Sequence, residues 1–286
     1  MRKYLPIALM ALSLTLSSCG LFSSNSKATT YTTEQPPQGD ATLWLKQQLA
    51  NLPCDGKPYI LRLPKGTYHF HPENASIKEL YISNHDQTNP KHITFLIEGK
   101  HNLTIDAQGS DFIFHGTMLP FALLHCENLT LKNCSIDFEL PHLRQLTITE
   151  VDKAANKSIA TLHPEGHYKI KNGKLYLTGE DYELQPEVAM AFQPNKLLTY
   201  QRGDVDFAVK KVTELHPNTF QLEGWSQNAL TSVGERFALR TYHRPTPAIF
   251  VDSCKNMHFQ DVTVHYAWGM GLLAQMTETI TLKGLK

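Results

Sequence analysis

The chain has no excess of charge of either sign. Its 27 Lys and Arg balance 27 Asp and Glu, so the formal net charge is zero with histidine neutral. Bulk electrostatics therefore gives no route to nucleic acid, and no nucleic-acid partner is expected. Cysteine is scarce. The five in 286 residues have none of the paired spacings of a zinc or dithiol motif, so no metal site is expected. A Walker A loop, a serine nucleophile elbow and a dinucleotide fingerprint are all missing, and no cofactor is expected. After residue 16 no apolar run approaches the roughly 20 residues that a membrane-spanning helix needs. Carboxylates are not clustered either. Asp137, Glu139, Asp252 and Asp261 are scattered, and no aspartate follows Asp261.

What is present begins at the N-terminus. Arg2 and Lys3 precede an apolar run from Leu5 to Leu16, which is too short to span a bilayer and reads as a signal peptide over 1–18. Leu16-Ser17-Ser18-Cys19-Gly20 follows and resembles a bacterial lipobox. That resemblance implies cleavage before Cys19 and attachment of lipid to that residue. The protein would then be anchored by lipid in the bacterial cell envelope, since each buried CH₂ contributes about 0.8 kcal/mol. Residues 19–39, rich in Ser, Thr, Gln and Pro, read as a flexible tether.

The folded part is organised by a repeated phrase. It reads Cys126-Glu127-Asn128-Leu129-Thr130-Leu131, then Cys254-Lys255-Asn256-Met257-His258-Phe259, then Thr277-Glu278-Thr279-Ile280-Thr281-Leu282. A fainter copy is Asn102-Leu103-Thr104-Ile105-Asp106. Each alternates apolar and polar residues as a strand does. Met257 and Ile280 are 23 residues apart, and Asn102 and Asn128 are 26 apart. Repeats of this period predict a solenoid whose coils stack strand on strand, read here as an all-β, right-handed parallel β-helix. Tyr59 to Phe70, two alternating strands around Pro64-Lys65-Gly66, resembles the entry segment of pectate-lyase-like β-helices. Before it, Asp40-Ala41-Thr42 starts a short helix carrying Leu45, Leu49 and Leu52, which would cap the first coil over its open apolar end.

Between the first and second phrases the period breaks. Leu129 and Met257 are 128 residues apart, far more than one coil. The intervening stretch has short strands of its own, with Asn172-Gly173 between two of them as a hairpin signal. It predicts a small antiparallel β-barrel inserted over 141–246. The cap and first coils then occupy 40–140, and the resumed coils 247–286. The third phrase begins a coil that Lys286 does not close, which reads as the front of a longer protein.

Aligning the phrases places Asp137 and His265 at equivalent positions, about 4.8 Å apart if the coils are adjacent. A carboxylate beside an imidazole, with Phe138 and Tyr266 next in line, could form a sugar-binding face or a solvated polar ladder. Trp268, within Trp268-Gly269-Met270-Gly271, could stack on a sugar ring or pack a tight corner. The two glycines allow positive φ or close backbone approach. Asp137, His265, Tyr266 and Trp268 are thus the candidate substrate-binding residues. Cys126 and Cys254 also align, as stacked thiols or as a disulfide.

Together the lipobox, Leu63-Pro64-Lys65-Gly66-Thr67-Tyr68, Ser135 to Pro141, the interrupting barrel and His265 to Gly271 resemble glycoside hydrolase family 110. The resemblance covers nearly all of the chain after the signal. It implies an inverting exo-α-1,3-galactosidase acting on terminal α-galactosyl glycans such as the blood-group B antigen, without a cofactor. It also implies catalytic aspartates in coils after the third phrase, so no catalytic residue is assigned here. Other β-helix polysaccharide lyases or hydrolases, and a non-catalytic glycan-binding lipoprotein, are the alternative readings. Oligomeric state is left open.

Overall fold

A computed structural model describes residues 27–194, 196 and 200–286. The signal segment and Cys19 lie outside the described residues. Among the described residues the fold is all-β apart from one α-helix and two short 3₁₀ turns.

Four copies of the phrase lie side by side in one parallel sheet. Its order is Thr29–Thr32, Tyr59–Arg62, Leu103–Phe114, Glu127–Phe138, Lys255–Val264, Glu278–Lys283, with Thr67–Phe70 also pairing to Leu103–Phe114. Leu131 is opposite Ile105 on one side and Phe259 on the other, and Phe259 is opposite Leu282. Strands far apart in sequence are therefore immediate neighbours in space. A second sheet runs Leu272–Gln275, Ile249–Asp252, Leu119–Leu124, Lys91–Glu98 in parallel, ending in the antiparallel strand Ser76–Lys78. Leu129, Leu131, Met257 and Phe259 from the first sheet share one buried core with Phe95, Phe121 and Ile249 from the second.

The phrase asparagines turn the chain into each strand. Asn102, Asn128 and Asn256 have φ of 55°, 55° and 53°. Asparagine tolerates this left-handed region because its short amide hydrogen-bonds locally. Here the amides bond to one another. Asn128 Nδ2 donates to Asn102 Oδ1 at 2.9 Å, and Asn256 Nδ2 donates to Asn128 Oδ1 at 3.0 Å. The aligned cysteines obey the same register and are free thiols. The Cys126 N–H donates to Cys254 Sγ at 3.2 Å, and the neighbouring sulfur together with burial holds the Cys126 thiol above its usual range.

The helix spans Thr42–Ala50 and buries Leu45 and Leu49 against the core. The Thr42 N–H bonds Asp40 Oδ1, and the Thr42 hydroxyl accepts the His71 N–H at 2.8 Å, tying the helix to the strands. The expected tether is corrected within the described residues. Thr29–Thr32 is an edge strand paired with Tyr59–Arg62, and Tyr31 packs on Tyr59 at 5.6 Å. A β-branched run beside an unpaired sheet edge takes up its hydrogen bonds.

Between the phrases lies a seven-stranded antiparallel sheet, in the order Tyr200–Asp206, Val188–Phe192, Arg236–Arg240, Arg144–Asp152, Lys157–His163, Thr219–Glu223, Lys211–His216. Trp225, Phe220 and Phe237 fill its separate core. Tyr168–Lys171 and Lys174–Thr178 form the hairpin around Asn172 and Gly173, both at positive φ, beside the short strand Glu183–Leu184. Closure differs from expectation. The two end strands of the seven are consecutive in sequence and joined by residues 207–210, so the sheet curls back on itself. Among the described residues they do not pair, and the sheet stays open.

Candidate functional site

Beyond the corner formed by Asn133 and Asp261, both at positive φ, one phrase strand ends in Ser135-Ile136-Asp137-Phe138, and the other ends in Thr263-Val264 with His265-Tyr266 directly after it. Ile136 and Phe138 point into the core, so Asp137 between them points out. The His265 N–H donates to the Ile136 carbonyl at 2.9 Å, which sets His265 beside Asp137. The predicted pair is thus brought together. Burial pushes the Asp137 carboxyl up from its ordinary pKa, although its Oδ1 accepts the Phe138 N–H at 2.8 Å. Tyr266, also at the strand end, is half-buried against the core, and its hydroxyl is held up by burial and then by the Asp137 charge.

His265 and Tyr266 border a cavity of about 560 Å³ between the strand end and the antiparallel sheet, with Arg144, Gly269 and Leu272 among its walls. Arg144 was not singled out from sequence. Its guanidinium is buried, with Nε donating to the Pro141 carbonyl at 3.1 Å and Nη1 to that of Pro164 at 3.2 Å. An arginine in an alternating strand carries no sign of this. A fixed cation, an imidazole, a phenol and a nearby carboxyl around such a space can hydrogen-bond a polyhydroxylated ligand.

Trp268 does not belong to that set as a sugar platform. Only 2% of it is exposed. The His142 ring covers one face at 4.2 Å with 2° between planes, and Tyr182 meets it edge-on at 5.0 Å. Its Nε1–H donates to the Gly116 carbonyl at 3.2 Å. The indole is a packing element where the antiparallel insert meets the parallel strands.

The glycines beside it resolve differently. Gly269 is not at positive φ; it makes room. A Cβ there would lie 2.2 Å from His85 Nε2 and 3.2 Å from the Thr246 carbonyl oxygen. His85 cannot swing aside freely, because Nδ1 bonds the Ser83 carbonyl and Nε2 accepts the Met270 N–H at 3.2 Å. Gly269→Ala is expected to cost about 1–3 kcal/mol by overpacking, whereas Gly271→Ala, with its nearest neighbour at 3.9 Å, should be close to neutral. Paired urea melts of the two variants check the contrast.

Burial, aided by His243, drives the His142 pKa down to about 3. The ring is then neutral in the fold at all ordinary pH, while in the unfolded chain it takes up a proton below about 6.5. Its stabilising effect is complete above that value and declines as pH falls toward 3. The expected loss is about 2 kcal/mol between pH 8 and pH 5. Phenylalanine in place of His142 keeps the stack on Trp268 and should flatten this part of the pH–stability curve, measured by denaturation at several pH values.

A second group of titratable side chains was not visible in the sequence. His69 lies in Thr67–Phe70, His115 and Glu139 directly follow the neighbouring strands Leu103–Phe114 and Glu127–Phe138, and their ligating atoms lie within 4.8 Å of one another. Among the described residues, these three form the group that could hold a metal. Only the pairing register, with Phe70 opposite Phe114 and Phe114 opposite Phe138, brings them together.

Comparison with known proteins adds to this geometry. The family profile described as GLAA-B beta-barrel domain I matches residues 144–236, within the antiparallel insert. An alpha-1,3-galactosidase B of Phocaeicola vulgatus is 43% identical over 231 residues, covering 79% of this chain and 37% of the relative. A second from the same species is 41% identical over 244 residues, covering 84% and 41%. One from Parabacteroides distasonis is 39% identical over 231 residues, covering 80% and 38%. The chain spans about two fifths of the length of these curated relatives.

Proposed function

We propose, for a chain that belongs to glycoside hydrolase family 110 and corresponds to the N-terminal portion of its galactosidases, that the protein removes terminal α-1,3-linked galactose from glycans. The observation that carries this reading is the 41–43% identity to named alpha-1,3-galactosidases over about four fifths of the chain. The two parallel sheets are read as walls of a right-handed parallel β-helix, with 141–246 as a barrel-like unit budded from one coil. Asp137, His265 and Tyr266 form part of the wall that grips the galactose hydroxyls. The reacting carboxyl pair comes from parts of the relatives that this chain does not span. Inversion requires those two groups far enough apart to admit a water, roughly 6.5–9.5 Å. Acylation of Cys19 would hold the enzyme at the cell envelope, where host or dietary glycans are met.

The test uses the full-length protein and an α-1,3-galactosyl disaccharide beside the branched blood-group B trisaccharide. Free galactose is expected, appearing first as the β-anomer by NMR. Asp137→Ala should lower kcat/KM about 10–100-fold, the loss of a hydrogen bond to a charged group. Binding to α-galactosyl glycans with no galactose release would replace this reading with that of a non-catalytic glycan-binding lipoprotein.

A further inference from the structure

We propose that His69, His115 and Glu139 form a binding site for a divalent cation of the zinc class, with Glu180 orienting one of its ligands. None of the three lines the cavity beside His265, although Glu139 follows Asp137 by two residues at the same strand end.

The geometry is that of a two-histidine, one-carboxylate ligand set. His69 Nδ1 and His115 Nε2 are 3.0 Å apart. Two nitrogens bound to one tetrahedral zinc at 2.0–2.1 Å stand about 3.3 Å apart, so a few tenths of an ångström of opening admits the ion. The Glu139 carboxylate completes a triangle in which all ligating atoms lie within 4.8 Å of one another. Backbone bonds fix the positions of the bearers. The His115 N–H donates to the Phe70 carbonyl at 2.9 Å, and the Glu139 N–H to the Phe114 carbonyl at 3.0 Å.

The other ring nitrogen of His115 is already committed. Nδ1 faces Glu180 Oε1 at 2.7 Å, and Glu180 Oε2 accepts the Gly116 N–H at 2.6 Å. A carboxylate held at both oxygens accepts the hydrogen bond of the Nδ1–H, which leaves the Nε2 lone pair directed at His69. This is the carboxylate–histidine–metal arrangement that fixes tautomer and ring orientation in metal sites. The His71 ring lies flat against that of His115 at 3.9 Å and 13°, limiting its rotation.

Without metal, the two imidazoles share a single N–H···N bond in which His69 Nδ1 is the donor. On binding, His69 carries its proton on Nε2 instead, both facing lone pairs go to the cation, and no proton is released. Imidazole and carboxylate together suit zinc, cobalt or nickel better than magnesium or calcium, which prefer all-oxygen shells. Because Glu180 belongs to the insert and the three ligands to the parallel strands, the ion would also clamp the two together.

The test is a cobalt(II) titration of the untagged full chain, followed by visible d–d absorption and by competition with zinc(II). One equivalent is expected to bind, with bands of a four- or five-coordinate ion. His69→Gln and His115→Gln should each abolish the bands, with far-UV circular dichroism confirming the fold. Glu180→Gln touches no metal and should weaken affinity about 10–100-fold. No saturable band in the wild type, or a band that survives in both histidine variants, overturns the proposal and leaves only a hydrogen-bonded histidine pair.

Discussion

Replacing Phe112 by alanine is expected to destabilise the parallel strands by about 3–5 kcal/mol. Phe112 is fully buried. It faces Tyr68 edge-on at 5.5 Å, Phe70 at 5.7 Å, Phe95 at 5.2 Å and Phe121 at 6.2 Å. It is therefore, with Phe70 on Phe95 at 5.6 Å, one of the rings through which the two parallel sheets touch. Each neighbour sits on a strand held by backbone bonds to the next, so the surroundings cannot collapse into the space left behind. The cost then approaches the upper part of the range for large-to-small core changes, because cavity and transfer terms add. Phe112→Leu should cost much less, about 1 kcal/mol, by conserving most of the volume. Urea unfolding followed by near-ultraviolet circular dichroism reads both. The antiparallel insert has its own core around Trp225, so its transition should hardly move. An unchanged midpoint for Phe112→Ala would remove the ring from the role given to it here.

The second large effect is expected at Trp268. Alanine there deletes a stack on His142, an edge contact with Tyr182 and a hydrogen bond to the Gly116 carbonyl. A loss of about 3–5 kcal/mol follows from the range for buried tryptophan. The carbonyl of Gly116 would also lose its indole donor, whereas Trp268→Phe keeps most of the packing and isolates that bond at about 1 kcal/mol. The measurement separates two roles for the indole. A sugar platform would change glycan affinity and leave the denaturation midpoint alone. A packing element shifts the midpoint and changes affinity only as the fold is lost.

How much could be read in advance differs between these two residues. The inward direction of Phe112 follows from its alternation with Phe114, and the stacking of the strands follows from the phrase. Leu129 and Met257 carry the same motif, and the same motif stacks upon itself. Asp137 and His265 could be paired for that reason, since they stand equally far beyond Cys126 and Cys254. The environment of Trp268 could not be read this way. Its lid, His142, and its edge partner, Tyr182, belong to the insert, whose orientation no periodicity encodes. The histidine cluster was hidden for a related reason. His69 and His115 are 46 residues apart, and their meeting depends on register between strands of unequal length. The openness of the antiparallel sheet was equally illegible, because strand count and hairpin signals do not say whether the last strand reaches the first. Tyr31 shows the limit of composition. A Ser- and Thr-rich segment looks like linker until a sheet edge with unpaired carbonyls is placed beside it.

The asparagine ladder has a consequence for how this chain could have been assembled over evolution. Each amide takes its hydrogen-bond direction from the rung beneath it, so the information that positions a rung is spatial. Asn102 and Asn128 are 26 residues apart, while Asn128 and Asn256 are 128 apart, yet their bonds are 2.9 and 3.0 Å. Closing the longer loop costs only about 1.4 kcal/mol more than the shorter, because the entropy grows with the logarithm of length. An insert ordered around its own core removes much of even that. The corner between strands is thus an address at which whole modules can be spliced in, with the rungs on either side still finding each other.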